Sequence, residues 1–152
     1  MDKYVIDTSV IAKLFIEDEE DRQIAIDIFL KAHQKKILLF APTLMLYELS
    51  NVLVKEQLSI VEIQSHLLTV KEQIDLGILQ IISPDFDGLE QASKLAVTDT
   101  EGQGYISLYD ATFHSLAISK NAVFVTGDKR HYLKTKKRFG SVILLENFKV
   151  PS

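Results

Sequence analysis

Five short apolar runs alternate with longer stretches of helical periodicity along this chain, and that alternation narrows the possible folds more than any other feature. The runs lie at residues 3–6, 37–40, 78–82, 122–125 and 142–145. Each is rich in Ile, Val, Leu or Phe and is bounded by polar, Gly or Pro residues. Their apolar character is continuous rather than alternating, as in parallel strands buried on both faces. Helical patterns occupy 8–16, 19–33, 43–57, 59–76, 85–97, 107–120 and 128–136. Ser59 is placed to cap its helix with Glu62 three residues on, and Gly77 suits the same helix's end. Strands alternating with helices predict an α/β fold around a parallel sheet. At 152 residues, with no internal repeat, the expectation is one domain over 1–152.

Four acidic residues occupy matching places on this frame. Asp7 closes the run Tyr4-Val5-Ile6, and Asp128 follows Val123-Phe124-Val125-Thr126-Gly127. Glu48 lies early in the helical stretch 43–57, and Asp110 early in 107–120. In an open parallel sheet, strand ends and helix starts gather along one edge, where ligands bind. Carboxylates about 4 Å apart repel by roughly 4 kcal/mol per pair in a surface-like dielectric. Such a group persists when protons or a cation neutralise it. Oxygen-only donors favour a hard cation, Mg²⁺ or Mn²⁺.

Each residue also has a structural alternative. Asp7 and Asp128 each stand where a helix N-cap would, and Thr8 or Ser9 could cap or orient a water. Glu48 borders the apolar face marked by Leu44 and Val52, where Lys55 or Asn51 would pair with it. Asp110 borders the stripe Ile106, Tyr109, Phe113, Leu116 and Ala117, an expensive place for an unpaired carboxylate. His114, one turn on, reads as a surface or core-edge histidine rather than a ligand. Thr126 is either a turn hydroxyl or a holder of water or phosphate. Taken jointly the alternatives weaken, since they need four coincidences in one topology. The run Glu17-Asp18-Glu19-Glu20-Asp21 reads as a solvated turn and helix start, and Tyr and Phe at helical spacing as core.

Composition removes other chemistries. The chain has no cysteine, which excludes disulfides, zinc–thiolate sites and thiol nucleophiles and fits a reducing cytoplasm. No apolar run approaches the ~20 residues of a membrane span, and the N-terminus runs into a strand with no signal-peptide pattern. Net charge is −4, yet Lys129, Arg130, Lys134, Lys136, Lys137 and Arg138 crowd the stretch after Asp128. That stretch reads as a phosphate-binding flank, or else as a solvated helix end.

With these residues in place, the sequence resembles the PIN-domain ribonucleases, and within them the VapC-type toxins of toxin–antitoxin systems. Tyr4-Val5-Ile6-Asp7-Thr8-Ser9-Val10 resembles the first motif of that family, and Tyr47-Glu48-Leu49-Ser50-Asn51-Val52-Leu53 the second. Leu108-Tyr109-Asp110-Ala111-Thr112 resembles the third, and Val125-Thr126-Gly127-Asp128 the fourth. The resemblance implies a three-layer α/β/α sandwich. It implies Mg²⁺- or Mn²⁺-dependent cleavage of single-stranded RNA, with Asp7, Glu48, Asp110 and Asp128 as metal ligands and Ser9 and Thr126 as supporting hydroxyls. It further implies a small antitoxin that occludes the acidic groove, and a homodimer. The basic flank lies outside the family motif; there Lys129, Arg130 and Lys134 would hold RNA, and the absence of cysteine and of a signal-peptide pattern fits a cytoplasmic location.

Two enzyme rivals fit less well. A phosphatase of the haloacid-dehalogenase type places a second Asp two residues after the first, where this chain has Ser9. A response-regulator receiver needs an acid and a Lys at strand ends that do not match this spacing. A non-catalytic module, whose acidic pocket receives a partner's basic side chain, is the alternative of a different class.

Overall fold

The computed structural model describes residues 1–16 and 21–152. The acidic run at 17–20 and the expected helix start at residue 19 therefore lie outside the described residues. The elements are β1 (Asp2–Ile6), α1 (Thr8–Ala12), α2 (Arg22–His33), β2 (Ile37–Pro42), α3 (Leu44–Lys55), α4 (Ile60–Asp75), β3 (Leu79–Ile82), α5 (Phe86–Ala96), α6 (Leu108–Ser119), β4 (Val123–Thr126), α7 (Lys129–Thr135) and β5 (Val142–Leu144). A single 3₁₀ turn, Leu145–Asn147, follows β5.

All five strands pair in parallel, in the order β3-β2-β1-β4-β5. With helices on both faces, this is the expected α/β/α sandwich. The chain lays β2 and β3 on one side of β1, then crosses back through α5 and α6 to place β4 on the other. Strand order thus reverses between β1 and β4, where open sheets of this kind leave a crevice beyond the carboxyl ends of the strands.

Burial explains why these runs became strands. Val5 and Ile6 of β1, Leu39 and Ala41 of β2 and Val125 of β4 are fully buried. Helices supply the rest of the core, with Val10, Ile11, Ile28, Leu49, Leu53 and Phe113 sealed against the sheet. Local signals set the ends of α4. The Ser59 hydroxyl accepts from the Glu62 N–H while the Glu62 carboxylate accepts from the Ser59 N–H. At the other end Gly77, with φ +73°, lets its own N–H reach the Ile74 carbonyl and that of Ile78 reach the Gln73 carbonyl.

Two expectations need correction. Tyr47, Phe86 and Tyr109 are exposed, not core. Each lies in the first turn of its helix. His114 is the reverse case: it is fully buried, for reasons taken up below. No helix among the described residues is long and apolar enough to cross a membrane.

Candidate active site

The site is assembled at the β1–β4 junction. Asp7 leaves β1 with its N–H donating to the Val125 carbonyl at 3.0 Å, which ties it to the neighbouring strand. It occupies the N-cap position of α1, yet its side chain makes no capping bond. Instead Oδ2 accepts from the Thr126 hydroxyl at 2.7 Å and the Ser9 hydroxyl at 3.1 Å. Thr126 is fully buried, and its Oγ1 also accepts from the Asp128 N–H at 3.0 Å. The Ser9 Oγ accepts from the Gly127 N–H at 3.1 Å. A Cβ at residue 127 would sit 3.2 Å from that oxygen, so the close approach itself calls for glycine. One mesh of hydroxyls and amides thereby joins the ends of the two central strands.

The other acids arrive on helices. Glu48, on α3, accepts from the Thr8 hydroxyl at 3.2 Å. Asp110 lies in the first turn of α6, which Ser107 caps by accepting from the Asp110 N–H at 3.0 Å. Asp128 caps α7, its Oδ1 accepting from the N–H groups of Arg130 and His131 at 2.9 and 3.1 Å. Its capping alternative is therefore realised, and it leaves Oδ2 without a capping role.

Electrostatics shows which acids feel one another. Burial raises the Asp7 carboxyl above the usual range, Thr126 and Ser9 pull it back, the Asp110 charge adds to the rise, and the Thr8 backbone N–H lowers it again. Glu48 is raised by burial and by the charge of Asp7, offset by Thr8, with Asp110 contributing last. Burial also raises Asp110, followed by the charge of Asp128, against the lowering effects of Ser107 and Lys134. Glu48, Asp7 and Asp110 thus lie close enough for their charges to act on one another, and the charge of Asp128 reaches Asp110 at one end of the row.

The donor chemistry fits a hard divalent cation: carboxylates and hydroxyls only, with charges that repel until neutralised. No three His, Cys, Asp or Glu side chains among the described residues converge into a ready-made ligand cluster. Water and substrate oxygens would have to complete the shell, as Mg²⁺ tolerates.

The basic stretch divides. Arg130 and Lys134 line a cavity of about 260 Å³ together with Asp110, Asp128, His131, Ser107 and Tyr105. Lys134 donates to the Tyr105 carbonyl at 3.1 Å. Lys129 turns elsewhere and pairs with Glu146 at 3.6 Å. Tyr105, Ser107 and His131 were not singled out in the sequence. The serine three residues before Asp110 carried a readable capping signal, whereas nothing local marked the other two.

A PIN domain family model matches residues 4–137. The chain belongs to the PIN domain family. The match spans all four acids and the helices that carry them. Among solved structures, PAE2754 from Pyrobaculum aerophilum is similar over 95% of this chain and 90% of its own, at 26% identity and a TM-score of 0.63. VapBC2 from Rickettsia felis, bound to a DNA fragment from its promoter, matches 93% of this chain and 96% of its own at 22% identity and TM-score 0.64. Mycobacterium tuberculosis VapC20, a sarcin–ricin loop cleaving toxin, matches 78% of this chain and 84% of its own at 18% identity and TM-score 0.59. The latter two likenesses are of fold. No curated protein matches the sequence.

Proposed function

We propose that this PIN domain is a metal-dependent endoribonuclease that cleaves single-stranded RNA, and that it is the toxin of a toxin–antitoxin pair. The observation that carries the reading is the row of mutually repelling carboxylates at the β1–β4 switch point, beginning with an Asp that is withheld from capping its own helix. A half-buried acid whose charge is disfavoured costs stability, and a bound cation would offset that cost.

Asp7, Glu48 and Asp110 would hold Mg²⁺ or Mn²⁺, with Asp128 at the open end of the row. When bound, such an ion acidifies water and neutralises charge growing on a phosphate. Thr126 and Ser9 would fix the rotamer of Asp7 by donating to Oδ2. Thr8 does the same for Glu48. Arg130 and Lys134, beside Asp110 and Asp128, would grip the RNA backbone and keep its phosphates near the acids. The whole chain would act as one domain, in the cytoplasm, and as a homodimer.

The partner part of the reading draws on the relatives. VapBC2 from Rickettsia felis and VapBC from Salmonella typhimurium are two-component complexes on DNA, and VapC20 is described as cleaving the sarcin–ricin loop. An antitoxin that inserts a basic side chain among these carboxylates would compete directly with the cation.

The test is cleavage of a labelled single-stranded RNA by purified protein with Mg²⁺, Mn²⁺ or EDTA, beside Asp7→Asn. Metal-dependent cleavage that the variant loses is the expected result. Absence of cleavage with either metal, from folded protein free of inhibitor, would favour the non-catalytic module whose pocket takes a partner's basic group.

A further inference from the structure

Two buried histidines stand behind the acids, and the proposed chemistry does not use them. His114 follows Asp110 by one turn of α6, and His131 follows Asp128 by three residues in α7. Both are buried, at 0% and 4% exposure. His114 Nε2 lies 2.7 Å from the Gly140 carbonyl, and His114 Nδ1 lies 2.9 Å from His131 Nε2.

A carbonyl only accepts, so His114 carries its proton on Nε2 and its Nδ1 accepts. His131 must then donate from Nε2, and its Nδ1 is left an acceptor. That atom is buried and has no hydrogen-bond partner. Burial holds both rings neutral, with each pKa lowered to about 4. Phe124 packs against both rings at 5.6 and 5.4 Å, and Phe139 meets His114 edge-on at 5.7 Å. As packing alone this is a poor solution, because two apolar side chains would fill the space without an orphaned nitrogen.

What the imidazole bond does supply is a fixed link between α6 and α7. Those helices carry Asp110 in a first turn and Asp128 at an N-cap, and the charge of Asp128 already disfavours ionised Asp110. Ionised together, the two acids repel, and a link behind them would oppose their separation. The backbone N–H of His131 also donates to the Asp128 carboxylate.

We propose that His114 and His131 are a positioning pair: their hydrogen bond sets the separation of Asp110 and Asp128 and thereby the affinity of the site for a divalent cation. This rests on the metal reading above. Groups that hydrogen-bond directly to metal ligands are commonly worth about 10- to 100-fold in affinity, and a pair acting one step further back is expected at the lower end.

The test is a Mn²⁺ titration of the full chain, with free ion followed by electron paramagnetic resonance, for wild type, Asp110→Asn, His114→Phe, His114→Gln and Ile28→Ala. Ile28 is buried on α2 and serves as a control for general destabilisation. Circular dichroism and urea unfolding report the folded fraction of each. The expected result is about tenfold weaker Mn²⁺ binding in folded His114→Phe, partial recovery in His114→Gln and no change in Ile28→Ala. Should His114→Phe fail to fold, His114→Gln against wild type decides alone, with a threefold or greater loss expected. Binding within twofold of wild type in every folded His114 variant would overturn the positioning role and leave the metal reading intact. Equal losses in Ile28→Ala would reduce it to ordinary destabilisation. No Mn²⁺ binding by wild type would remove the metal reading, and the pair's role with it.

Discussion

The β1–α1 and β4–α7 junctions look alike in sequence and are used in opposite ways. Both follow a central parallel strand, and both place an Asp at the N-cap of the next helix with extended backbone. Asp128 caps, accepting two backbone N–H groups with one oxygen. Asp7 makes no cap bond, and its carboxylate is held mainly by the Thr126 and Ser9 hydroxyls, with the Thr8 backbone N–H adding to them. A capping carboxylate is stabilised by the helix N-terminus and its amides. An acid held off the cap in a half-buried mesh keeps a raised pKa, so its charged form is disfavoured until a positive charge approaches. Two identical residue types at matching N-cap positions thus differ in what holds them: one caps its helix, and the other is held by hydroxyls of the neighbouring strand and its own turn.

The largest expected effect tests that division directly. Asp7→Asn should lower RNA cleavage by more than about 100-fold, beyond what loss of a supporting partner costs. Metal-free Asp7→Asn should unfold at the same or higher urea concentration than wild type, because its raised pKa marks the charged form as unfavourable in the fold. Asp128→Asn keeps a residue that caps equally well, so stability should hold and cleavage should fall by only about tenfold. Equal losses in the two variants would break the comparison.

Next in size is a pH effect behind the β4–α7 junction. His114 titrates near 6.5 when unfolded and at about 4 when folded. Between those values the folded state binds fewer protons than the unfolded state, so this contribution to stability is complete above about pH 6.5 and is lost as pH falls toward 4. The loss should be on the order of 2 kcal/mol. The raised acids work in the opposite direction, so the comparison to make is wild type minus His114→Phe by urea unfolding from pH 7 to 4.5. A difference that does not shrink on acidification would show that His114 is protonated in the fold.

Gly127→Ala probes the mesh joining the two junctions. The new Cβ would press on the Ser9 oxygen at 3.2 Å, costing about 1 kcal/mol of stability and weakening cleavage through the Asp7 contact. The smallest effects lie at the rim. Lys134→Ala should weaken RNA binding modestly and reduce its salt slope by about 1. Lys129→Ala, which breaks only an exposed pair with Glu146, should change stability and binding little. Equal changes in salt slope for the two lysines would place RNA across both faces of α7.

Much of this was readable in order along the chain. The five apolar runs became five parallel strands with ends shifted by a residue or two, and the Ser59–Glu62 cap and the Gly77 turn formed where their spacing put them. Those features are local, set by side-chain period and by which residues tolerate a given backbone angle. The acids were located as four residues on one edge for the same reason, since a parallel sheet forces strand ends and helix starts together. Their division of labour was not readable. Thr126 reaches Asp7 across 119 residues and His131 reaches His114 across 17, and no periodicity encodes such pairs. His114 looked like an edge residue because its wheel position is ambiguous until α7 closes over it. Sequence alone determined the strand–helix frame and the acids' place on it. Strand order and the meeting of His114 with His131 decided which hydroxyls reach Asp7, which histidines are sealed and which lysine faces the acids, because those outcomes depend on neighbours that only the folded chain brings together.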